Sequence, residues 1–390
     1  MIRKKLIRIL LILLPACAGL SLGAQDRLPH PLRFVPADST LVWGLDNSHL
    51  TSTALKADRS LSEQPFSADG VSKKAFRAAA KSWRESILPT LSLTGGDDGK
   101  PAGAQAVAAA NTLAAAARLF LLTGEAEYAE AMERSLFNAL LAEASAEGPL
   151  TFEKHFAARA LRNGAGTMYA YEPGGATLYI NYYANSSTRI DAGDVRLSVE
   201  QLTGMPHSGR VKLRIEGMRS EQTPVKILLR IPMWAMRRPY PDFAYAVGGE
   251  ALPMPVVYVN GKELLTTKTE RGFLVIDRKW NNGDEILFDL PDTPFVLRRK
   301  ADGKAVRGSV AVQRGPFVYA MRGEMPAGHY FSANRELTEE VEDGSDGNVL
   351  LRGSLFRDAG TPADAPAPEV PLLLFPFKDV KGAFWLREPR

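Results

Sequence analysis

Residues 227–290 decide the fold class of this chain. They read I-L-L-R-I-P-M-W-A from residue 227, V-V-Y-V-N-G-K from residue 256 and R-G-F-L-V-I-D-R-K-W-N-N-G-D-E-I-L-F-D-L from residue 271. Apolar residues alternate with polar ones in each run, which predicts strands with one buried and one wet face, as in an antiparallel sandwich. Asn260-Gly261 suits a two-residue hairpin turn, because both central residues of a type I′ turn have positive φ.

Helical patterns come before these strands. Residues 71–88 have a basic wet face, and the alanine-rich residues 104–122 end at Thr123-Gly124, where glycine can supply a left-handed cap. Residues 125–144 carry an apolar stripe at every fourth position, formed by Tyr128, Met132, Leu136 and Leu140. The last two segments therefore predict an antiparallel helical hairpin with a very short connection.

The first 24 residues have the form of an export signal. The signal begins with four basic residues, Arg3, Lys4, Lys5 and Arg8. An apolar core at residues 9–14 follows, and Leu-Gly-Ala at residues 22–24 forms a small-residue cleavage site. This pattern predicts export to the periplasm, the cell surface or the medium, with no transmembrane segment in the mature chain.

The one cysteine of the sequence, Cys17, lies inside this signal. It follows Leu-Pro-Ala, and the proline makes a poor lipoprotein cleavage pattern, so lipid anchoring at Cys17 is the less favoured alternative. After cleavage behind Ala24 the mature chain has no thiol. It then has no disulfide, no thiolate metal site and no cysteine nucleophile.

The net charge belongs largely to the signal. Removing its four basic residues from the 48 of the chain leaves 44, which equals the number of acidic residues. A balanced mature chain gives no support for a nucleic-acid partner.

The strand region resembles a known family. R-I-P-x-W-A from Arg230, V-N-G from Val259 and R-x-W-x-x-G-D from Arg278 are similar to the β-sandwich region of glycoside hydrolase family 127 (GH127). This is the β-L-arabinofuranosidase family of bacterial enzymes. V-A-V-Q-R-G-P-F-V-Y from Val310 resembles the family's next block. Independently of the resemblance, Trp234 and Trp280 are better read as core anchors than as sugar platforms, since large aromatic residues dominate such cores.

The helical hairpin carries the same resemblance. R-L-F-L-L-T-G-x-x-x-Y-A from Arg118 and M-E-R-S-L-F-N from Met132 are similar to a helix pair near the end of the family's catalytic helical toroid. Within the second motif, an ion pair or structural hydrogen bond is the favoured role of Glu133 and Arg134 over catalysis. A toroid of about a dozen helices needs on the order of 200 residues, and residues 71–163 provide fewer than half of that.

The resemblance also implies a zinc–cysteine active site, whose ligands this sequence does not supply. The family's Glu-Thr-Cys-Ala segment matches residues 104–108, where Gln105 replaces the carboxylate ligand and Val107 the thiolate. The later cysteine cluster of the family should fall between Phe152 and Tyr169, and this stretch has no cysteine. A neutral amide is a poor zinc ligand and an isopropyl group is none, so we predict no metal site and no cofactor.

The predicted fold class is α+β: a small helical-hairpin remnant of an (α/α) toroid followed by antiparallel β-sandwich domains. The predicted divisions are the signal peptide (1–24), an extended lead-in (25–70), the helical remnant (71–165), the β-sandwich (166–300) and a C-terminal β-domain or second sandwich part (301–390).

Three functions remain open at this stage. The first is an exported GH127-like pseudoenzyme that lacks the family's hydrolysis and binds carbohydrate or a component of the cell envelope. The second is an active glycosidase that acts on arabinofuranoside-like sugars through carboxylates at the helix–sandwich junction. The third is an envelope scaffold without affinity for sugars. The candidate binding residues at the junction are Tyr169, Tyr171, Glu172, Tyr182 and Tyr183.

Overall fold

The computed structural model describes most of the chain after residue 65. The described residues are 32–35, 37, 38, 66–96, 102–146, 148–174, 176–192, 195–218, 220, 222–265, 268–342, 348–357, 369–380 and 384–388. The predicted export signal, Cys17 and most of the lead-in lie outside these residues, so their predictions stay as they are.

Four main helices lie in the described part of the chain. They are α1 (Lys73–Ser82), α2 (Ala102–Thr123), α3 (Ala126–Ser135) and α4 (Phe152–Ala165). Helix α1 continues through a π turn (Trp83–Ile87) and a 3₁₀ turn (Leu88–Thr90), and Ser72 caps its start by accepting from the Ala75 N–H. Gly124 ends α2 with φ +69° as predicted, so α2 and α3 form the expected hairpin.

Helix α3 is buried on nearly all sides, so the predicted single apolar stripe was too narrow. Beyond Ser135 it continues through a π turn (Leu136–Leu140) into a last α turn (Leu141–Ala144). In this region the Ala139 N–H donates to the Thr94 carbonyl at 3.0 Å, across to the segment before α2. A Cβ on Gly95 would lie 2.5 Å from Ser135 Cα, so only glycine allows this segment to approach α3 so closely.

The strands fill the rest of the chain, with short strands near its start. In chain order they are β1 (Arg33–Val35), β2 (Ala37–Asp38), β3 (Tyr169–Tyr171), β4 (Thr177–Ile180), β5 (Ser186–Ala192), β6 (Val195–Thr203), β7 (Arg210–Glu216), β8 (Thr223–Arg230), β9 (Tyr245–Val247), β10 (Val257–Val259), β11 (Lys262–Glu263), β12 (Thr269–Glu270), β13 (Phe273–Trp280), β14 (Glu285–Asp289), β15 (Phe295–Ala301), β16 (Lys304–Ala305), β17 (Ser309–Arg314), β18 (Phe317–Met321), β19 (His329–Phe331), β20 (Thr338–Val341), β21 (Val349–Arg357), β22 (Val370–Pro376) and β23 (Leu386–Arg387).

These strands form three sheets. The first has the order β1-β3-β4-β8-β13-β12, and the second has the order β11-β10-β14-β7-β6-β5-β2. The third has the order β16-β15-β17-β18-β22-β21-β19, with β9 on β15, β20 on β21 and β23 on β17. The α+β fold class is confirmed. The domain divisions at 166–300 and 301–390 stay predictions, and the third sheet draws β9 and β15 from the first of these ranges.

The sandwich departs from a purely antiparallel arrangement at one pair. Strands β4 and β8 are parallel, with Leu178 opposite Ile227. The predicted hairpin turn is present, because Asn260 and Gly261 have φ +51° and +74° and join β10 to β11. Strand β5 was not predicted, because its sequence S-S-T-R-I-D-A has too few apolar residues to show an alternation. It pairs with β6 over seven residues.

The first sheet packs against helix α2. The Phe120 ring centroid of α2 lies 5.8 Å from that of Tyr179 on β4 and 6.1 Å from that of Phe273 on β13. The segment that follows β4 contacts the second sheet, where the Tyr183 ring lies 5.2 Å from the Phe288 ring of β14. Helix residues Ala104–Thr123 could cross a membrane by length and apolar composition alone, but 61% of that window is buried inside the protein.

Helix α3 also holds the third sheet. The Asn138 side chain is fully buried and donates from Nδ2 to the Pro316 carbonyl at 3.0 Å. Its Oδ1 accepts from the Val318 N–H at 2.8 Å, and the Phe137 and Phe317 rings pack 5.8 Å apart beside it. One amide thus satisfies two backbone groups at the turn between β17 and β18.

We expect Asn138→Ala to lower the free energy of unfolding by about 1–3 kcal/mol, because it leaves two buried backbone groups without partners. Urea unfolding followed by tryptophan fluorescence measures this loss. The control is Asn163→Ala, at a half-buried position on α4, which should cost less. Equal losses in the two variants would contradict the role of Asn138.

Candidate functional site at the helix–sheet junction

The centre of the junction is Arg230, the last residue of β8. Its side chain is fully buried, and Nη1 donates to Glu130 Oε1 at 2.6 Å. Nη2 donates to Glu133 Oε1, while Nε donates to the Asn181 carbonyl. Glu130 and Glu133 lie one turn apart on α3, so both carboxylates face the end of β8.

The residues after Arg230 complete this cluster. The Trp234 indole N–H donates to Glu133 Oε2 at 2.9 Å, and the Met233 N–H donates to Glu130 Oε1 at 3.0 Å. The R-I-P-x-W motif is thereby fastened to α3 through both of its polar side chains. The favoured prediction for Glu133, an ion pair, agrees with this geometry, and Trp234 is a buried anchor.

Burial and charge compete within the cluster. Burial raises the pKa of the Glu133 carboxyl to about 7 from its usual 4.5; the Arg230 charge opposes the rise and the Glu130 charge adds to it. Burial lowers the pKa of Arg230, but the two carboxylates outweigh that effect, so its guanidinium stays charged. Two acids share one cation here, and this arrangement holds a proton more readily than a simple ion pair would.

The cluster of Arg230, Glu130 and Glu133 suits a structural role better than acid–base catalysis. A catalytic carboxylate must reach the proton that it transfers. Glu130 and Glu133 are only 6% and 2% exposed, and their oxygens already accept hydrogen bonds from Arg230 and its neighbours.

Three of the five candidate binding residues lie in the core. Tyr169, Tyr182 and Tyr183 are at most 1% exposed, and burial raises the pKa of each. Tyr183 donates to the Arg230 carbonyl at 2.6 Å and Tyr169 pairs with the Ser186 hydroxyl at 2.9 Å. Tyr182 contacts Gly164 and Thr167 through its hydroxyl.

The other two candidates, Tyr171 and Glu172, are half-buried at the end of β3. Glu172 accepts a hydrogen bond from the Tyr179 hydroxyl at 3.3 Å, and that hydroxyl accepts from Arg271 at 2.9 Å. The structure therefore separates the five residues into a buried group and a rim. Their role in binding stays a prediction.

A comparison with known families bears on these motifs. Residues 177–292, which include β4, β8 and the R-I-P-x-W motif, match the family model described as "Beta-L-arabinofuranosidase, GH127 middle domain". The resemblance to GH127 is confirmed.

Solved structures with the same fold carry the GH127 name as well. A GH127 β-arabinofuranosidase aligns with a TM-score of 0.67 and 21% identity, over 81% of this chain and 56% of its own. A GH127 β-L-arabinofuranosidase from Geobacillus stearothermophilus T6 aligns with a TM-score of 0.63 and 20% identity, over 80% of this chain and 56% of its own. At these identities the likeness shows the fold. This chain spans little more than half the length of either structure, and no curated protein matches it.

The positions at which the resemblance to GH127 implies zinc ligands carry side chains that do not suit a zinc ion. Gln105, on the first turns of α2, accepts a hydrogen bond from the Thr94 hydroxyl at 3.3 Å. The Val107 side chain has no donor atom. The stretch from Phe152 to Tyr169, where the later cysteines are expected, contains helix α4 and has no cysteine. An amide beside a hydrocarbon is not a donor set for zinc.

Sequence reasoning missed two parts of the junction. Glu130 was not singled out, although it binds Arg230 as closely as Glu133 does. The structural role of Asn138 was also missed, although it ends the GH127-like motif that begins at Met132. A signal existed for both, because Glu130 lies between two alanines and Asn138 between Phe137 and Ala139, and a polar group buried in such surroundings usually has a partner.

We expect Arg230→Met to lower the free energy of unfolding by about 3–5 kcal/mol, because two buried carboxylates would lose their cation. Urea unfolding measures the change. The control is Arg210→Met, which removes an exposed ion pair with Asp289 and should cost far less. Similar costs for the two variants would contradict the role of Arg230.

The Glu133 carboxyl also predicts a pH dependence. Its pKa is raised in the folded protein, so the native state binds more protons than the unfolded state between pH 4.5 and about 7. The free energy of unfolding should therefore fall as pH rises through this range. Urea unfolding at several pH values should show a weaker slope for Glu133→Gln and an unchanged one for the exposed Glu125→Gln. A wild-type slope in Glu133→Gln would contradict the assignment.

Proposed function

We propose that this chain is an exported, GH127-like carbohydrate-binding protein that does not carry out the zinc- and cysteine-dependent hydrolysis of the family. The observation that carries the proposal is the state of Gln105, whose amide oxygen accepts a hydrogen bond from the Thr94 hydroxyl. The resemblance implies that Gln105 stands where the family has its carboxylate ligand. Val107 removes the neighbouring thiolate. Without these donors a zinc-bound thiolate nucleophile has no support in this chain.

The retained fold supports a binding role. The helix–sheet junction keeps a fully paired ionic core around Arg230, so the framework is well defined without the metal site. The similar solved structures are named as β-arabinofuranosidases, which makes arabinofuranosides the first sugars to test. Export is supported by the basic and apolar pattern of the first 24 residues.

One observation favours the alternative of an active glycosidase. Glu172 is a half-buried carboxylate that accepts a hydrogen bond from Tyr179, so a substrate could reach it at the rim of the junction. A glycosidase of the usual kind needs a second carboxylate facing the first. If Glu172 is catalytic, Glu172→Gln abolishes hydrolysis and leaves the melting temperature unchanged.

We expect the purified chain to bind arabinofuranosyl glycans on an array without hydrolysing p-nitrophenyl β-L-arabinofuranoside above the buffer rate. Release of p-nitrophenol is measured with and without EDTA and iodoacetamide. Turnover that either reagent abolishes would restore the family mechanism, and turnover that survives both would support the carboxylate alternative. An array without any bound glycan would favour a scaffold and contradict the binding proposal.

A further inference from the structure

Helix α1 and the π turn that follows it carry a basic stripe, formed by the exposed side chains of Lys73, Lys74, Arg77, Lys81 and Arg84. An α-helix turns by about 100° per residue, so these five positions fall within an arc of about 100°. Each residue advances the helix by about 1.5 Å, so the stripe extends over about 17 Å. The positive charge is therefore concentrated locally, although basic and acidic residues are equal in number after residue 24.

The apolar side of α1 faces the protein interior. Ala80 and Trp83 are buried, and Phe76 and Ala79 pack against the core. A helix that inserts into a lipid surface presents its large apolar side chains outward, whereas α1 turns them inward. The stripe can therefore hold a partner through charge and hydrogen bonding, and not through apolar insertion.

The basic stripe is unfavourable for the helix that carries it. Lys73, Arg77 and Lys81 stand four positions apart, and like charges at this spacing destabilise a helix. The first turn contains Lys73 and Lys74 and no acidic residue, whereas the positive end of the helix dipole favours negative charge there. Natural proteins break such local rules at functional sites, and an anion that neutralised the stripe would stabilise α1.

Two acidic neighbours reduce the charge of the stripe at its C-terminal end. Glu85 lies 3.9 Å from Lys81, and both side chains are more than 60% exposed, so this ion pair is weak. Burial raises the pKa of Glu127, and the nearby Arg84 charge opposes the rise. Against these two acids the five basic residues keep the stripe positive.

We infer that the basic stripe of α1 binds an acidic polysaccharide, a glycan whose sugars carry carboxylates. The inference rests on the proposed function and names a ligand class for it. A linear acidic glycan repeats its negative charge along the chain, so several carboxylates can meet the stripe together, whereas a small anion would meet one or two charges. Lysine and arginine form charge-assisted hydrogen bonds with carboxylates, and sugar hydroxyls can accept from their remaining N–H groups.

Two observations favour a glycan over the other polyanions that a basic surface attracts. The export pattern of the first 24 residues directs the chain away from nucleic acids. The inward apolar side of α1 leaves a lipid surface only the weaker, purely electrostatic contact. Both alternatives are outcomes of the test below.

The test is isothermal titration of the full chain with polygalacturonate at low ionic strength. We expect binding that weakens as salt is added, because exposed charges are screened. The triple variant Lys74→Gln, Arg77→Gln and Lys81→Gln should bind about 10-fold more weakly or less, since it removes three of the five charges. Wild-type affinity in this variant would overturn the inference.

The matched control removes three exposed basic charges elsewhere, through Lys262→Gln, Lys304→Gln and Arg307→Gln. It has the same net charge as the first variant, and we expect it to bind polygalacturonate as the wild type does. Equal weakening in the two triple variants would overturn the assignment to α1, because net charge alone would then account for binding.

Thermal unfolding separates a binding defect from a folding defect. Without glycan the variant of the stripe should keep or exceed the wild-type melting temperature, because it relieves repulsion between like charges. Polygalacturonate should raise the melting temperature of the wild type and leave that of the variant unchanged. A wild-type melting temperature that does not respond to polygalacturonate would overturn the inference.

Other ligands decide the class of partner. Equally tight binding of duplex DNA, or of phosphatidylglycerol vesicles, at the same ionic strength would overturn the assignment to an acidic polysaccharide. Binding of arabinofuranosyl glycans on the array without binding of polygalacturonate would overturn the inference and leave the proposed function standing. Failure to bind either kind of glycan would overturn both.

Discussion

The buried contact of one guanidinium with two carboxylates is the constraint on which the structure depends. Arg230 ends the central strand β8, and Glu130 and Glu133 belong to helix α3, which meets the end of that strand. A buried charge without a partner would be far too costly to keep, so the helix and the sheet must meet in one register. Removing one member of such a cluster is costly, although apolar packing of the same volume can stabilise a protein equally well.

Helix α3 extends this constraint to the whole molecule. Its second half holds the sandwich through Glu130 and Glu133, and the π turn that follows holds the third sheet through Asn138. The GH127-like motifs that begin at Arg230 and at Val310 therefore both contact this helix or the π turn that continues it. The helical part of this chain is small, but it contacts both β regions, which also meet directly where Arg314 donates to the His207 carbonyl.

Local features of the fold could be predicted from the sequence. Asn260-Gly261 and Gly124 correctly predicted a turn and a helix end, because only a few residue types readily adopt a positive φ. Arg230 is different, since its partners lie 97 and 100 residues earlier and no periodicity connects them. The parallel pairing of β4 with β8 was missed for the same reason. The candidate tyrosines were chosen by their position in the sequence near the helix–sandwich junction. Position alone does not show whether a side chain is buried or exposed, because that depends on which elements cover the sheet.

The parallel pair of β4 and β8 affects how the chain can fold. The residues that connect these two neighbours include β5, β6 and β7, which all belong to the opposite sheet. Strands β4 and β8 therefore cannot pair until the long connection between them is ordered. The entropic cost of closing that loop is incurred before the pairing of the two strands stabilises the sheet. The two sheets should form in a single cooperative step, and a fragment that stops before β8 would expose β4 as an unprotected edge prone to aggregation.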